Sequence, residues 1–288
     1  MISIARLFRS SLTLISPELN TKVIYWFKFK KRLDLKNPRK LNEKILKLKI
    51  DRYGNDPLVK KCADKYAVRE YVTEKGLEEI LIPLIAVYDS VKDIKWASLP
   101  ESFAMKWNFG CGFNFICEDK SKYDEKTVLK QMKKWGKEKY YLPYSEMQYK
   151  DVPHRIIVEQ FLKPRNGILP EDYKFYCFNG VPKAILYISG RHTDHEIVGF
   201  FDLDWNYIGS TGKKVYEDIK DMPERPSCLE EMIRIAAKLS EGFPFVRIDL
   251  YDFDSKPLFG EMTFTPAGGF DVSECTIDGK EMGELLIS

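Results

Sequence analysis

Two short stretches near the end of this 288-residue chain set charged side chains into otherwise apolar strands. In Val246-Arg-Ile-Asp-Leu250, Arg247 and Asp249 are two residues apart and share one strand face; in Gly260-Glu-Met-Thr-Phe264, Glu261 and Thr263 do the same. An antiparallel turn near Asp254-Ser255 brings the two faces together. Two carboxylates completed by phosphate oxygens are a usual way to hold Mg²⁺ for phosphoryl transfer. The plainer alternative is an Arg–Asp pair on a solvated face. It is disfavoured because four polar side chains on such apolar strands are costly to bury without a ligand.

A third stretch, Ala104-Met-Lys-Trp-Asn-Phe-Gly-Cys-Gly112, sets Lys106 inside an apolar strand and follows it with Gly110 and Gly112. A strand lysine needs an anion to offset desolvation, and glycines let backbone N–H groups approach phosphate closely. A nucleoside triphosphate satisfies both, although G-x-x-x-x-G-K-[ST] occurs nowhere in the chain. A hairpin turn beside a snorkelling lysine is the alternative for this stretch taken alone. His192-x-x-His195, beside Asp194 and Glu196, reads as a surface loop, because strand residues three apart face opposite ways.

Periodicity supplies the elements that must hold these groups. Helical spacing runs to about residue 56, with Leu41, Ile45 and Leu48 on one face and Gly54 ending the run. Asp64 is an N-cap candidate for a helix burying Ala67, Val68, Tyr71 and Val72, with Gly76 at its C-cap. Strands are expected at 80–88, 103–107, 113–117, 155–161, 173–178, 182–189, 196–202, 245–251 and 258–264. Asn179-Gly180 is the clearest hairpin turn. Helices are expected at 124–138 and 228–242. Hairpins alternating with isolated helices indicate an α+β fold and not a doubly wound parallel sheet.

Hydrophobic residues make up 44% and charged residues 31%, the composition of a folded globular chain of one large domain or a few lobes. The apolar stretch 80–88 is broken by Pro83 and is far too short to span a bilayer. Arg6 and Arg9 split the only candidate signal-peptide core, which places the chain in the cytoplasm. The six cysteines form no Cys-x-x-Cys pair and read as scattered buried thiols. Three histidines leave few candidates for a histidine base. Residues 1–50 hold 13 Lys/Arg against 3 Asp/Glu, net +10, which leaves the rest at −7 within a total of +3. Such a segment, with Tyr25, Trp26 and Phe27 among its lysines, reads as a solvated helix face, or as a peripheral contact with anionic lipid at the inner face of a membrane, with an anionic glycan or with nucleic acid. No nucleic-acid module is present, and no nucleic-acid partner is expected.

The order of these pieces resembles the ATP-grasp superfamily. More closely, Lys61-Cys-Ala-Asp-Lys-Tyr-Ala-Val-Arg-Glu-Tyr71, Leu169-Pro-Glu-Asp-Tyr-Lys-Phe175 and Glu261-Met-Thr-Phe-Thr-Pro266 are similar to the TupA-like ATP-grasp family of polysaccharide biosynthesis, over residues 40–285. The resemblance implies an ATP-grasp fold, two antiparallel-sheet lobes sandwiching ATP, behind a helical basic segment. The expected divisions are 1–58 for that segment, 59–160 for a small lobe with a phosphate flap and 161–288 for a large lobe with the metal site.

Carried over by position, Lys65 and Lys106 contact phosphates, and Gly110 and Gly112 belong to the flap. Glu159 with Gln160, Phe161 and Leu162 reads adenine, and Asp172 takes the ribose. Asp249 and Glu261 bind Mg²⁺, with Thr263 at the third metal position, which is usually Asn. Arg247 faces the transferred phosphoryl group, and Lys106 and Arg191 assist. Lys174 either reaches a phosphate or covers an aromatic face with Tyr173 and Phe175. Thr265-Pro-Ala-Gly-Gly269 is the expected acceptor loop. The implied activity is ATP-dependent carboxylate–amine ligation through an acylphosphate. It joins a uronic acid of a surface polysaccharide, or its precursor, to an amino acid or small amine. The alternative is phosphate transfer to a sugar hydroxyl.

Overall fold

The computed structural model describes residues 4–163, 170–190, 196–209, 222–272 and 275–287. An N-terminal helical hairpin, α1 (Ile4–Ile15) and α2 (Pro17–Phe29), precedes α3 (Leu41–Leu48). Ser16 makes the break between the first two helices: its side chain caps Leu19 N at 3.1 Å, and Pro17 sits at the first helical turn, where no N–H is needed. Helix α3 runs on through a π-helical turn, Lys49–Tyr53, and stops at Gly54. Helices α4 (Pro57–Ala63) and α5 (Val68–Glu74) follow. Asp64 Oδ1 accepts from Tyr66 N and Ala67 N and shapes the turn between them.

Two antiparallel sheets carry the rest. The first has four strands in the order β1-β4-β2-β3: β1 (Leu84–Tyr88), β2 (Phe103–Trp107), β3 (Asn114–Cys117) and β4 (Ile156–Gln160). Phe103, Met105 and Trp107 alternate onto one face, where they pack with Val128 and Met132 of α6 (Glu125–Trp135). The opposite face leaves Ala104 and Lys106 beside Ile157 and Glu159, paired across the ladder. The expected strand over 80–88 is shorter at its start. Glu78–Ile80 forms a 3₁₀ turn, and pairing begins only after Pro83, which lacks an N–H for the ladder.

The second sheet has six strands in the order β10-β9-β5-β6-β7-β8. They are β5 (Asp172–Phe178), β6 (Val181–Ser189), β7 (Ile197–Phe201), β8 (Tyr207–Gly209), β9 (Phe245–Phe253) and β10 (Lys256–Thr263). One face is covered by α7 (Leu229–Ser240), through Leu229, Met232, Ile235 and Leu239, and by residues of α4 and α5 such as Val59 and Val72. Fully burying each such side chain contributes ~1.5–3 kcal/mol. The other face packs Tyr176, Phe178 and Phe245 against α3 and α8 (Met282–Leu285). A short ribbon, β11 (Thr276–Ile277) with β12 (Lys280–Glu281), precedes α8. Where that second face meets the four-stranded sheet, its apolar side chains give way to Asp172, Lys174, Arg247 and Asp249.

Candidate functional site

The two carboxylates reach one face through a register shift. The turn at Asp254-Ser255 pairs Phe253 with Lys256 and, continuing, Leu250 with Phe259. An unbroken ladder would set Glu261 opposite Ile248, whose side chain points into the core. A bulge at Gly260 moves Glu261 opposite Asp249 and Thr263 opposite Arg247. Glycine is required there, since a Cβ at 260 would stand 2.9 Å from Asp249 O.

Asp249 is 1% exposed and fully engaged. Arg247 grips it with two parallel bonds of 2.7 Å, from Nε to Oδ1 and from Nη2 to Oδ2. Lys174 Nζ also donates to Oδ2, and bonds Asp172 Oδ1 at 3.1 Å. Burial alone would raise the Asp249 pKa; Arg247 and then Lys174 outweigh it and hold the carboxyl below its ordinary range. Lys174 therefore does not cover the rings of Tyr173 and Phe175, which lie on the opposite face in the core. The Thr263 hydroxyl lies between Arg247 Nη2 (3.2 Å) and Glu261 Oε1 (3.3 Å).

Across the cleft, Lys106 Nζ bonds Glu159 Oε2 at 2.8 Å, and Arg69 Nη1 bonds Glu159 Oε1 at 3.2 Å. Glu159 is thus a buried acceptor between two cations, at the border of the segment from Gln160 to Leu162. Lys65 Nζ donates to Gly110 O and lies 3.7 Å from Glu261 Oε2. Gly110 and Gly112 have φ of +66° and +79°, a region that favours glycine, and a Cβ at 110 would stand 2.5 Å from the Tyr140 ring. Cys111 between them is exposed, 3.2 Å from the Tyr140 hydroxyl, while the other five cysteines are buried.

Three compartments adjoin one another through shared wall residues. A slot of about 370 Å³ is lined by Ile82, Ala104 and Ile116 and by the chain from Gln160 through Phe161 and Leu162. It shares Lys106, Glu159, Asp172 and Tyr251 with a polar cavity of about 290 Å³, which also holds Lys65, Lys174, Asp249 and Glu261. That cavity shares Cys111 and Glu261 with a chamber of about 580 Å³, into which Arg247 and Thr263 open.

The chamber has aromatic walls, Tyr140, Tyr144, Tyr149 and Phe270, and a buried carboxylate, Glu146. Glu146 Oε1 accepts from Thr265 Oγ1 at 2.8 Å, and Gln148 Nε2 donates to the same hydroxyl at 2.8 Å. Lys49 lies inside the protein beside it. Its Nζ donates to Tyr144 O and Gly268 O, each at 2.8 Å, and sits 4.7 Å over the Phe270 ring. Burial raises the Glu146 pKa and lowers that of Lys49, and their mutual attraction opposes both shifts. The loop at Ala267, Gly268 and Gly269 holds three successive positive φ angles, pinned by that lysine.

A model of the family described as TupA-like ATPgrasp matches residues 42–287. The chain belongs to the TupA-like ATP-grasp family. Among solved structures it is similar to D-alanine–D-alanine ligase from Bacillus anthracis complexed with ATP, at 14% identity and a TM-score of 0.41, covering 71% of this chain and 55% of that one. D-Alanine–D-alanine ligase from Helicobacter pylori gives 12% identity and a TM-score of 0.38, covering 72% and 55%. D-Cycloserine synthetase gives 17% identity and a TM-score of 0.39, covering 74% and 65%. The chain thus spans about 55–65% of the length of these structures. No curated protein matches it.

In this ATP-grasp chain the structure brings Lys65, Lys106, Gly112, Glu159, Asp172, Lys174, Asp249 and Glu261 to one cavity. Gln160, Phe161 and Leu162 line the slot, and Gly110, Arg247 and Thr263 line the chamber. Arg191 lies outside the described residues, as do His192 and His195. The sequence reading did not single out Arg69, Lys49, Glu146 or Gln148. Arg69 was within reach, since it lies one helical turn after Lys65 in the quoted motif. No local pattern marks the other three. Four chamber residues, Arg9, Ile24, Phe27 and Lys28, come from the hairpin ahead of the matched span. Among the described residues no helix is long and apolar enough to cross a membrane.

Proposed function

We propose that the chain is an ATP-dependent carboxylate–amine ligase, with adenine in the apolar slot, phosphates in the polar cavity and the acceptor in the aromatic chamber. The observation that carries this reading is the shared wall: Glu261 borders both the cavity and the chamber, directly across the ladder from Asp249. Lys65, Lys106 and Lys174 offset phosphate charge from both sheets, Asp172 and Tyr251 border the ribose position, and Arg247 meets the transferred phosphoryl group from the chamber side. The divisions proposed for this arrangement are 1–58, 59–160 and 161–288.

The donor chemistry fits Mg²⁺. Asp249 and Glu261 offer hard oxygen ligands across one rung, and the bonds to Asp249 from Arg247 and Lys174 occupy three of its roughly four acceptor positions. Among the described residues no three His, Cys, Asp or Glu side chains form a complete cage. Substrate phosphates would complete the coordination of an ion held by this pair. When bound, it would supply charge neutralisation at the phosphoryl oxygens. Thr263 is the weakest candidate of the three, since its hydroxyl already bridges Arg247 and Glu261.

In the proposed reaction a carboxylate oxygen attacks the γ-phosphorus of ATP, releasing ADP and leaving an acylphosphate. An amine then attacks the acyl carbon, loses a proton and expels phosphate, giving an amide. Enclosure by the Gly110–Gly112 loop excludes water from the acylphosphate. Aromatic walls with Arg9 and Lys28 at the chamber support a uronic acid, whose ring can stack and whose carboxylate is anionic. An amino acid or small amine is the proposed second acceptor. The test is to mix the protein with ATP, Mg²⁺, glucuronate-type sugars and a panel of amines. ADP with an amide mass supports the reading. A phosphorylated sugar, or turnover that survives Asp249→Ala and Glu261→Ala, contradicts it.

A further inference from the structure

Helix α1 is amphipathic in the inverted sense, while α2 buries Ile24 and Tyr25 and exposes other apolar side chains. On α1 the polar stripe faces the protein: Arg6 Nη2 bonds Glu138 Oε2 at 2.6 Å, Arg9 Nη1 bonds the Tyr144 hydroxyl at 3.2 Å, and Thr13 Oγ1 bonds Leu142 O at 2.6 Å. On α2, Asn20 Nδ2 reaches Pro143 O and Ser145 Oγ. The apolar stripe therefore faces outward. Ile4, Leu7, Phe8, Leu14 and Ile15 fall within about 120° of one another at 100° per residue, and all are exposed, Ile4 by 86% and Ile15 by 76%. Leu19, Trp26 and Phe27 are exposed on α2. A helix face that only meets water does not need this pattern.

Cations stand beside the α2 aromatics. Lys30 Nζ lies 5.5 Å over the Trp26 ring and 5.7 Å over the Phe27 ring, and Lys31, Arg32 and Lys36 follow, all exposed. An outward apolar stripe beside aromatic rings and lysines is the composition of a helix lying in the headgroup region of an anionic bilayer. We infer that α1 and α2 dock the protein on an anionic membrane surface through this outward face. Phe27 and Lys28 belong both to the hairpin and to the chamber wall, so docking sets the chamber beside the lipid. The local charge selects the occupant: Lys30, Lys31, Arg32 and Lys36 stand exposed beside Trp26 and Phe27 against the one acid Asp34, a net +3 over residues 30–36 that an anionic bilayer complements and a second copy of the same segment repels.

The test uses the full chain in vesicle flotation, comparing phosphatidylglycerol–phosphatidylcholine vesicles with phosphatidylcholine alone at low and high salt. Binding is expected to the anionic vesicles only, and to fall at high salt. Leu7→Glu with Phe8→Glu abolishes it; Lys30→Gln, Lys31→Gln and Arg32→Gln together lower partitioning roughly a hundredfold. Binding of an ATP analogue by these variants verifies folding. It also separates this inference from the ligase reading, because loss of nucleotide binding by the wild type strikes only the latter. Absence of flotation, equal binding to both vesicle types, or binding that survives Leu7→Glu with Phe8→Glu overturns the inference. So does a wild-type dimer in sedimentation that the same double variant dissolves, since a second copy would then cover the face.

Discussion

The polar cavity and the aromatic chamber share Glu261 yet are built differently. The cavity is held by strand register: Lys174, Asp249 and Glu261 lie side by side because β5, β9 and β10 pair there, and each charge has an opposite charge within 4 Å. The chamber is held by long-range bonds between irregular segments, with Lys49 joining Tyr144 O to Gly268 O and Thr265 joining Glu146 to Gln148. Secondary structure therefore prepares the phosphate side, and tertiary packing prepares the acceptor side. Substitutions in the cavity should damage stability and nucleotide chemistry together, whereas those in the chamber should separate the two.

The largest effect is expected from Asp249→Ala. It leaves Arg247 and Lys174 buried without their shared acid, so urea unfolding should show a loss of about 3–5 kcal/mol along with abolished ADP formation. Gly260→Val comes next. The new side chain meets Asp249 O, and a slip of the bulge turns Glu261 toward the core; ADP formation should fall to background at a stability cost of about 1–3 kcal/mol. Equal activity in this variant would break the claim that register prepares the cavity.

Glu146→Gln sharpens the contrast from the other side. It removes the charge beside Lys49 but keeps a group able to accept from Thr265, so about 1–3 kcal/mol of stability is lost. Affinity for an ATP analogue, measured by calorimetry, should stay at the wild-type value. The smallest effect is one of pH. The folded pKa of Asp249 lies below the ordinary aspartate value of 3.8, so its contribution is complete above that value and is lost as pH falls through the folded one. The stability gap between wild type and Asp249→Asn should be constant near neutrality and close below about pH 4.

The same division governs what could be read from the sequence. Alternation in 103–107, 173–178 and 245–251 located β2, β5 and β9, and Asn179-Gly180 marked the β5–β6 turn, where both residues take positive φ. Those signals are local. The bulge at Gly260 was not anticipated, although an isolated glycine in a strand pattern is its usual mark. The pairing of Glu159 with Arg69 and Lys106 was not legible, because nothing local shows those two cations converging on it. Lys49 passed for one more lysine of a basic segment. Its burial depends on Tyr144 and Gly268, 95 and 219 residues away along the chain.

The most direct measurement is a crystal structure with Mg²⁺ and a non-hydrolysable ATP analogue. The account predicts adenine between Ile82 and Leu162, and the γ-phosphate between Lys106 and the Asp249–Glu261 rung, facing the chamber. A nucleotide lying elsewhere, or a terminal phosphate turned away from Glu261, would contradict it.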